Sequence, residues 1–349
     1  MVLCCGPGGV GKTTISAALS VKWAREGARV AVLTIDPARR LAQSLGVGQL
    51  GNDPQVVPLA GAKGRLEAAM LETRATFEGV VRRLAPRREV AERLLANRYF
   101  QFAATGLGGA HEYMAQERLL ELWQSDRYDV VVLDTPPTRQ ALDFLKAPDR
   151  MAGLMDEGVL RWLVMPATTG GWRALELGSE AVARVLRGLL GERTVTEIGE
   201  FFEAFRELGE GFRTRSIQVR ELLGDAATRV VLVTTSHATA EAEALAFLQT
   251  LRERRMRFGG FVVNRAVRGP RYHLDPAVIP ASVADQVRAA VLEAPEIRRL
   301  QAERQEENLR HLRRAAPGAP LWLVTDRATP VADVAALTDL GAELPTTLW

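Results

Sequence analysis

The sequence predicts an α/β protein with a mainly parallel, doubly wound sheet and an inserted helical subdomain. Three observations lead to this prediction. Short apolar runs alternate with helical patterns, a glycine-rich loop separates the first run from the first helix, and two longer stretches have a helical pattern. In such sheets ligands bind beyond the carboxyl ends of the strands, so the residues that follow each apolar run are candidates for a site.

The first elements form a βαβ unit. Val2–Cys5 is a short apolar run, Thr13–Arg25 carries apolar residues at helical spacing, and Arg29–Ile35 is almost continuously apolar. Continuous apolar character is typical of a strand that is covered on both faces. Further strands of this type are predicted to end at Asp134, Thr235, Asn264 and Thr325.

Two stretches depart from simple alternation. Residues 55–124 have a mostly helical pattern and residues 150–228 a wholly helical one. We therefore predict a first domain segment at 1–149, an inserted helical subdomain at 150–228 and the remainder of the first domain at 229–349. Two amphipathic patterns mark the insert: Met155, Val159, Trp162 and Leu163, and Phe201, Phe205, Leu208 and Phe212.

Composition restricts the class of protein. The 349 residues are 47% hydrophobic and 25% charged, which excludes a disordered chain, and the net charge is +3. Nearly all basic residues are arginines, which we attribute to a codon bias of the genome. Acidic residues lie among the arginines throughout, and a basic tail is lacking, so we expect no nucleic-acid partner.

The only two cysteines, Cys4 and Cys5, are adjacent. On a strand they point to opposite faces and cannot bridge each other, so we expect free thiols and a cytoplasmic location. The glycine-rich loop begins at Gly6, directly after the first apolar run, so we expect no signal peptide. No uncharged apolar run reaches about 18 residues, so we expect no integral membrane segment.

The loop Gly6–Thr13, "GPGGVGKT", matches the phosphate-binding pattern G-x-x-x-x-G-K-[ST], and a strand precedes it while a helix follows. Glycines let backbone amides approach phosphate oxygens, and the helix N-terminus favours an anion. Lys12 is expected to add charge on the β- and γ-phosphates, and the Thr13 hydroxyl to bind Mg²⁺. A P-loop NTPase that uses ATP and Mg²⁺ is therefore predicted, with nucleotide contacts from Gly8, Gly9, Val10, Gly11, Lys12, Thr13 and Thr14.

Two aspartates end neighbouring apolar runs. Asp134 has the position of a Walker-B aspartate and is expected to hold Mg²⁺ together with Thr13. Asp36 faces the same edge, where it is expected to contact the metal and, with Lys12, to act in catalysis by positioning the attacking water. An equally weighted alternative makes Asp36 the N-cap of a helix that starts at Pro37.

Several motifs in order resemble the ArsA/GET-type ATPases. The phosphate loop is similar to the family's "GKGGVGKTT", "TIDPARRLAQSLG" resembles its first switch with Asp36 as the catalytic aspartate, and "DTPPTRQALDFL" resembles its second switch. "GGAHEYMA", with Glu112 and Met114, looks like a further family segment. The "FVVN" run would place Asn264 at the adenine base, with Arg265 and Asp326 on the adenine-recognition loops.

This resemblance implies a dimer that closes on ATP and binds a client through the helical insert, and the client is expected to be a protein, such as an apolar or membrane-protein segment. The amphipathic patterns of the insert then have two interpretations, a subdomain core or a client groove. Neither the family's metalloid-binding cysteines nor its zinc CxxC motif is present, and Gln140 replaces the second-switch histidine.

Pro7 stands where the family has a lysine that reaches the partner's phosphates. Three explanations remain open. The chain forms a heterodimer whose partner keeps the lysine, an arginine such as Arg39, Arg40 or Arg139 substitutes, or the protein is a slow ATPase that acts mainly as a nucleotide-gated binder. The same departure gives the alternative function, a low-turnover regulatory subunit paired with a lysine-containing paralogue.

Overall fold

A computed structural model describes residues 1–36, 40–98, 110–138, 141–147, 192–267, 278–280, 282 and 284–346, without the side chains of 192–196 and 198–206. Its described strands form one sheet of eight. In chain order these are β1 (Val2–Cys5), β2 (Arg29–Thr34), β3 (Gln55–Val57), β4 (Arg65–Met70), β5 (Val130–Asp134), β6 (Arg229–Thr234), β7 (Phe258–Ala266) and β8 (Leu321–Thr325).

The spatial order of the strands is β3-β4-β2-β5-β1-β6-β7-β8. Every neighbouring pair is parallel except β3 and β4. Strand β1 lies at the centre between β5 and β6, so the loop that follows β1 emerges at the middle of the carboxyl edge. This confirms the predicted mainly parallel α/β sheet.

Helices cover both faces of the sheet, as the doubly wound prediction requires. The apolar side chains form two separate clusters, one on each face. The helices in the described residues are α1 (Lys12–Glu26), α2 (Arg40–Ser44), α3 (Thr73–Leu84), α4 (Arg88–Ala96), α5 (Ala110–Gln124), α6 (Glu192–Gly224), α7 (Ala238–Glu253), α8 (Asp285–Ala315) and α9 (Val334–Gly341).

The adjacent cysteines show how β1 divides the core. Cys4 belongs to the cluster with α1 and α9, and Cys5 to the cluster on the opposite face. Both thiols are buried and free, as predicted, and burial raises the pKa of each to about 12. Neither cysteine is therefore a reactive thiol at neutral pH.

The prediction of a mostly helical segment at 55–124 was wrong at its start, because β3 and β4 lie there. Strand β4 pairs in parallel with β2 over six residues. Its sequence, "RLEAAM", is rich in residue types that are depleted from strands, which is why the pattern misled. The buried Glu67 carboxylate is held by Arg65 and Arg127, at 2.8 and 2.9 Å.

The second half of α6 packs into the core of the sheet's helical layer. Leu208 and Phe212 are 0% and 1% exposed, and the ring of Phe212 lies 5.9 Å from that of Tyr113 on α5. These two residues therefore do not line a client groove, and the core to which they belong is that of the sheet domain, with Leu3 and Leu133, and not that of a separate subdomain as predicted. The side chains of Phe201 and Phe205, and the whole pattern of Met155, Val159, Trp162 and Leu163, lie outside the described residues.

Across the part of the chain that the structure describes, no helix is both long enough and apolar enough to cross a membrane.

Candidate nucleotide site at the carboxyl edge of the sheet

The glycine-rich loop connects β1 to α1 in backbone conformations that few other residues adopt. Gly9 has a φ of 76° and Gly11 a φ of 93°, both in the left-handed region. A Cβ atom on Gly11 would lie 2.3 Å from the Asn264 side-chain nitrogen, so this position also lacks the space for a side chain. The loop thus places its backbone, not its side chains, at the edge of the sheet.

The backbone amides of the loop are available for a ligand. Among the described residues, no amide between Gly8 and Thr14 donates to a backbone carbonyl, and Ile15 is the first to do so, to Gly11 at 3.0 Å. The Lys12 ammonium folds back over the loop and donates to the Pro7 carbonyl at 2.8 Å. Unpaired amides, a helix N-terminus and a lysine together form an anion-binding cradle.

Asp134 lies at the bottom of this cradle and is fully buried. Its Oδ2 accepts hydrogen bonds from the hydroxyls of Thr13 at 2.8 Å and Thr34 at 3.0 Å. Burial raises the pKa of Asp134 to about 6, although the two hydroxyl donors oppose the shift. Its Oδ1 is buried and has no hydrogen-bond partner in the described part of the chain.

These groups fit the predicted Mg²⁺. An unpaired carboxylate oxygen next to a threonine hydroxyl is the donor set that a hard cation prefers, with further ligands from phosphates and water. A cation would also offset the cost of the buried carboxylate charge. Among the residues that the structure describes, Thr13 and Asp134 are therefore best placed to hold the ion.

Asp36 follows β2 and is half-buried at the same edge. Burial lowers the pKa of Lys12, whereas the negative charges of Asp134 and Asp36 oppose this shift. Residues 37–39 lie outside the described residues, so the alternative role of Asp36 as a helix N-cap stays a prediction.

Asn264 closes the cradle from the β7 side. Its Nδ2 donates to the Val10 carbonyl at 2.8 Å, and its Oδ1 accepts from the Arg265 amide at 2.9 Å. Arg265 is exposed and has a φ of 55°. The backbone amide of exposed Asp326, just after β8, donates to the Ala266 carbonyl. The predicted adenine residues thus lie on adjoining strand ends beside the phosphate loop.

Sequence reasoning missed three residues that shape this edge. Thr34 lies opposite Asp134 in the register of β2 and β5, and a polar residue at the end of an apolar run was the available signal. Pro137 lies next to Gly8 of the loop. Glu343 accepts a hydrogen bond from the Thr325 amide at 2.7 Å and so stabilises the turn after β8. No local sequence pattern predicts this contact.

Of the three arginines proposed to replace the missing lysine, only Arg40 lies within the described residues. Arg40, the first residue of α2, is exposed and lies close enough to Lys12 to lower its pKa further. Arg39, Arg139 and Gln140 lie outside the described residues. In the segment with Glu112 and Met114, the Met114 side chain is 1% exposed and belongs to the core.

Comparison with known proteins agrees with this site. The sequence profile of the anion-transporting ATPase (ArsA) family matches residues 1–272, which include the phosphate loop, both aspartates and Asn264. The chain belongs to this family. The match ends before α8.

Curated relatives share part of the chain. A putative arsenical pump-driving ATPase of Halobacterium salinarum is 33% identical over 47% of this chain and 26% of its own length. One of the same description from Chlorobaculum tepidum is 28% identical over 58% of this chain and 48% of its own. ATPase GET3 of Malassezia globosa is 30% identical over 42% of each. The chain spans about a quarter to a half of the length of these relatives.

Proposed function

We propose that the chain is a Mg²⁺-dependent ATPase of ArsA/GET type. In this proposal, ATP binding and hydrolysis drive the closure of a dimer and the binding or targeting of a protein client. The observation that carries the ATPase is the contact of Thr13 with the buried Asp134 beneath a loop of unpaired amides that Lys12 covers. Relatives named as ATPases support the same activity.

Each group at the edge has a distinct role in this proposal. Lys12 leaves the Pro7 carbonyl for the β- and γ-phosphates, and the loop amides bind the remaining phosphate oxygens. Thr13 and Asp134 would hold Mg²⁺, and the bound ion would supply positive charge to the phosphates. Asp36 orients the attacking water and accepts its proton.

We favour a protein client over a metalloid ion. Soft As(III) prefers thiolates, but both cysteines are buried in β1 with the pKa of each thiol raised to about 12. An apolar or membrane-protein segment is the client that the family resemblance suggests, with the insert at 150–228 as its binding site. The free thiols also agree with a cytoplasmic location.

A second candidate function rests on Pro7. This residue is buried, and its carbonyl is the acceptor for Lys12, so the position offers no ammonium to a partner's nucleotide. A charge supplied in trans accelerates hydrolysis by roughly 10³–10⁵ in related chemistry. The alternative is therefore a low-turnover subunit that binds nucleotide and pairs with a lysine-containing paralogue.

Two substitutions test the proposed ATPase. We expect Lys12→Ala to weaken ATP binding at least tenfold, since it removes the charge in the cradle, roughly 1.4 kcal/mol or more. Asp36→Asn is expected to keep ATP binding but to lower kcat by about 10²-fold or more. Binding is measured by calorimetry and hydrolysis by phosphate release.

Lys22→Ala is the matched control, because this lysine lies on the same helix but beside Gly341 on α9, with its ammonium paired to Glu26 at 3.2 Å. Its binding and turnover should equal those of the unmodified chain. If Lys12→Ala and Asp36→Asn leave both binding and hydrolysis unchanged, the ATPase proposal is wrong.

A further inference from the structure

Helix α9 packs against α1, the helix that begins at the end of the phosphate loop. The side chains of Leu337 and Leu340 are buried in the same apolar cluster as the side chains of α1. Gly341 lies so close to α1 that an added Cβ atom would be 3.3 Å from the Cβ atom of Lys22. This close packing fixes the position of α9 relative to the phosphate loop.

Glu343 follows α9 and joins it to the turn after β8, residues 325–327. Its Oε2 accepts hydrogen bonds from the Thr325 amide at 2.7 Å and from the Thr325 hydroxyl at 2.9 Å. Its Oε1 accepts from the Arg327 guanidinium at 2.9 Å. The Arg327 Nε is buried and has no partner among the described residues, which offer this guanidinium no second carboxylate. One carboxylate thus holds the residues on both sides of Asp326.

The turn that Glu343 holds is attached on its other side to the nucleotide edge. The backbone amide of Asp326 donates to the carbonyl of Ala266, the last residue of β7, at 2.9 Å. On the same strand, Asn264 contacts the phosphate loop through the Val10 carbonyl at 2.8 Å. Contacts therefore form a closed ring, from the phosphate loop through Asn264 and the turn to Glu343, and back through α9 and α1.

The ion pair of Glu343 with Arg327 is more shielded from water than the surface pairs of this chain. Its side chains are 25% and 29% exposed, compared with 87% and 58% for Arg88 and Glu92 on α4. Salt screens a partly buried pair less than an exposed one. The pair is therefore suited to hold the turn in one conformation. Because the family profile ends at residue 272, this contact lies outside the part of the chain that the profile covers.

We propose that Glu343 is a positioning residue for the base of the nucleotide. The inference rests on the proposed ATPase and on the predicted place of the adenine beside Asn264 and Asp326. In that proposal the loop amides and Lys12 bind the phosphates, whereas the base depends on the turn that Glu343 fixes. A turn that already has its bound conformation loses less entropy when the ligand binds. Glu343 therefore contributes to the affinity for a nucleoside triphosphate, but not to the affinity for a triphosphate without a base.

A comparison of ATP with inorganic tripolyphosphate, which has no base, tests the proposal. We expect Glu343→Ala to weaken MgATP binding by about tenfold or more, and to leave tripolyphosphate binding within about twofold, both measured by calorimetry with Mg²⁺. In turnover, KM for ATP should rise while kcat stays the same, because the reacting phosphates are held elsewhere. Glu343→Gln keeps an acceptor for the Thr325 amide but loses the charge that pairs with Arg327, so its loss of ATP affinity should be intermediate.

Asp339→Ala is the matched control, because Asp339 is exposed on α9 and has no hydrogen bond or ion pair within the described part of the chain. Both of its affinities should equal those of the unmodified chain. Equal weakening of ATP and tripolyphosphate by Glu343→Ala would overturn the proposal, since it would indicate a general structural role, and so would unchanged ATP binding. An unmodified chain that binds ATP no more tightly than tripolyphosphate would overturn it as well. A chain that binds neither ligand would contradict the proposed ATPase itself, and this inference with it.

Discussion

At the scale of single residues, the buried carboxylate of Asp134 lowers the stability of the ligand-free protein, but it provides a ligand for Mg²⁺. Its pKa is raised to about 6, so at neutral pH the folded protein carries a desolvated charge with one unpaired oxygen. The unfolded chain holds the same carboxylate in water. Ligand-free stability is thus traded for metal affinity at this position.

We expect Asp134→Asn to stabilise the protein in the absence of metal and nucleotide. A carboxyl with a raised folded-state pKa destabilises the fold fully above about pH 6, and the penalty disappears as the pH falls toward 3.8, where the folded state has taken up its proton. The interval between these values corresponds to about 3 kcal/mol at pH 8. Urea unfolding at pH 8, 6 and 5 measures the difference, which should shrink as the pH falls.

Asp129→Asn serves as the control with the opposite sign. The Arg29 guanidinium, at 2.7 Å, lowers the pKa of this exposed carboxyl, so its loss should slightly destabilise the fold above that pKa. With MgATP present, unmodified protein should gain more stability than Asp134→Asn. A difference between unmodified and Asp134→Asn protein that is independent of pH would contradict the assigned burial of charge.

Each site residue that the sequence alone identified belongs to a local motif. Lys12 and Thr13 follow from the loop pattern, and Asp134 from its place at the end of an apolar strand. Thr34 and Glu343 were missed because their roles depend on pairing across 100 and 18 residues of chain. Contacts of that kind are set by strand order, which a single sequence does not state.

At the scale of elements, the same limit explains β4. Its parallel partner β2 and its buried position make "RLEAAM" a strand, although alanine and glutamate favour helices. Strands β1, β2, β5, β6, β7 and β8 were predictable since each is a nearly continuous apolar run. Tertiary contacts determined the secondary structure only where the local sequence pattern was weak, as in β4.

A buried ion pair joins α5 to α6, and we expect it to couple them. Glu117, 1% exposed, pairs with Arg215 and also accepts from the Tyr113 hydroxyl at 2.6 Å. Arg215→Met should cost about 3–5 kcal/mol of unfolding free energy, because it leaves a buried carboxylate without its cation. Adding Glu117→Gln removes that charge while keeping an acceptor for Tyr113, and most of the loss should be recovered.

Denaturant unfolding of the single and double variants measures this coupling. Arg88→Met, which breaks an exposed pair with Glu92 on α4, is the control and should leave stability unchanged. Equal stability of the Arg215→Met single variant and the double variant would show that the penalty comes from lost packing instead of an unpaired charge.

At the scale of the whole molecule, the phosphate loop, Asp134 and Asn264 meet at one edge of the sheet, so a partner that reaches the nucleotide must approach this edge. For the dimer of the proposed function, we expect Asp36→Asn protein, isolated from its own cells in MgATP, to have a native mass of two identical chains of 38.2 kDa each. Any additional component of the complex would be the client.

A complex of two unequal, related subunits would contradict this expectation and indicate that a partner supplies the charge that Pro7 lacks. In an identical dimer both sites lack that charge, so hydrolysis should be slow and Pro7→Lys should raise kcat at least tenfold, a gain of roughly 1.4 kcal/mol in barrier. The Pro7 carbonyl that accepts from Lys12 is backbone and is kept in the variant. An increase confined to mixtures with a paralogue would assign the missing charge to the heterodimer.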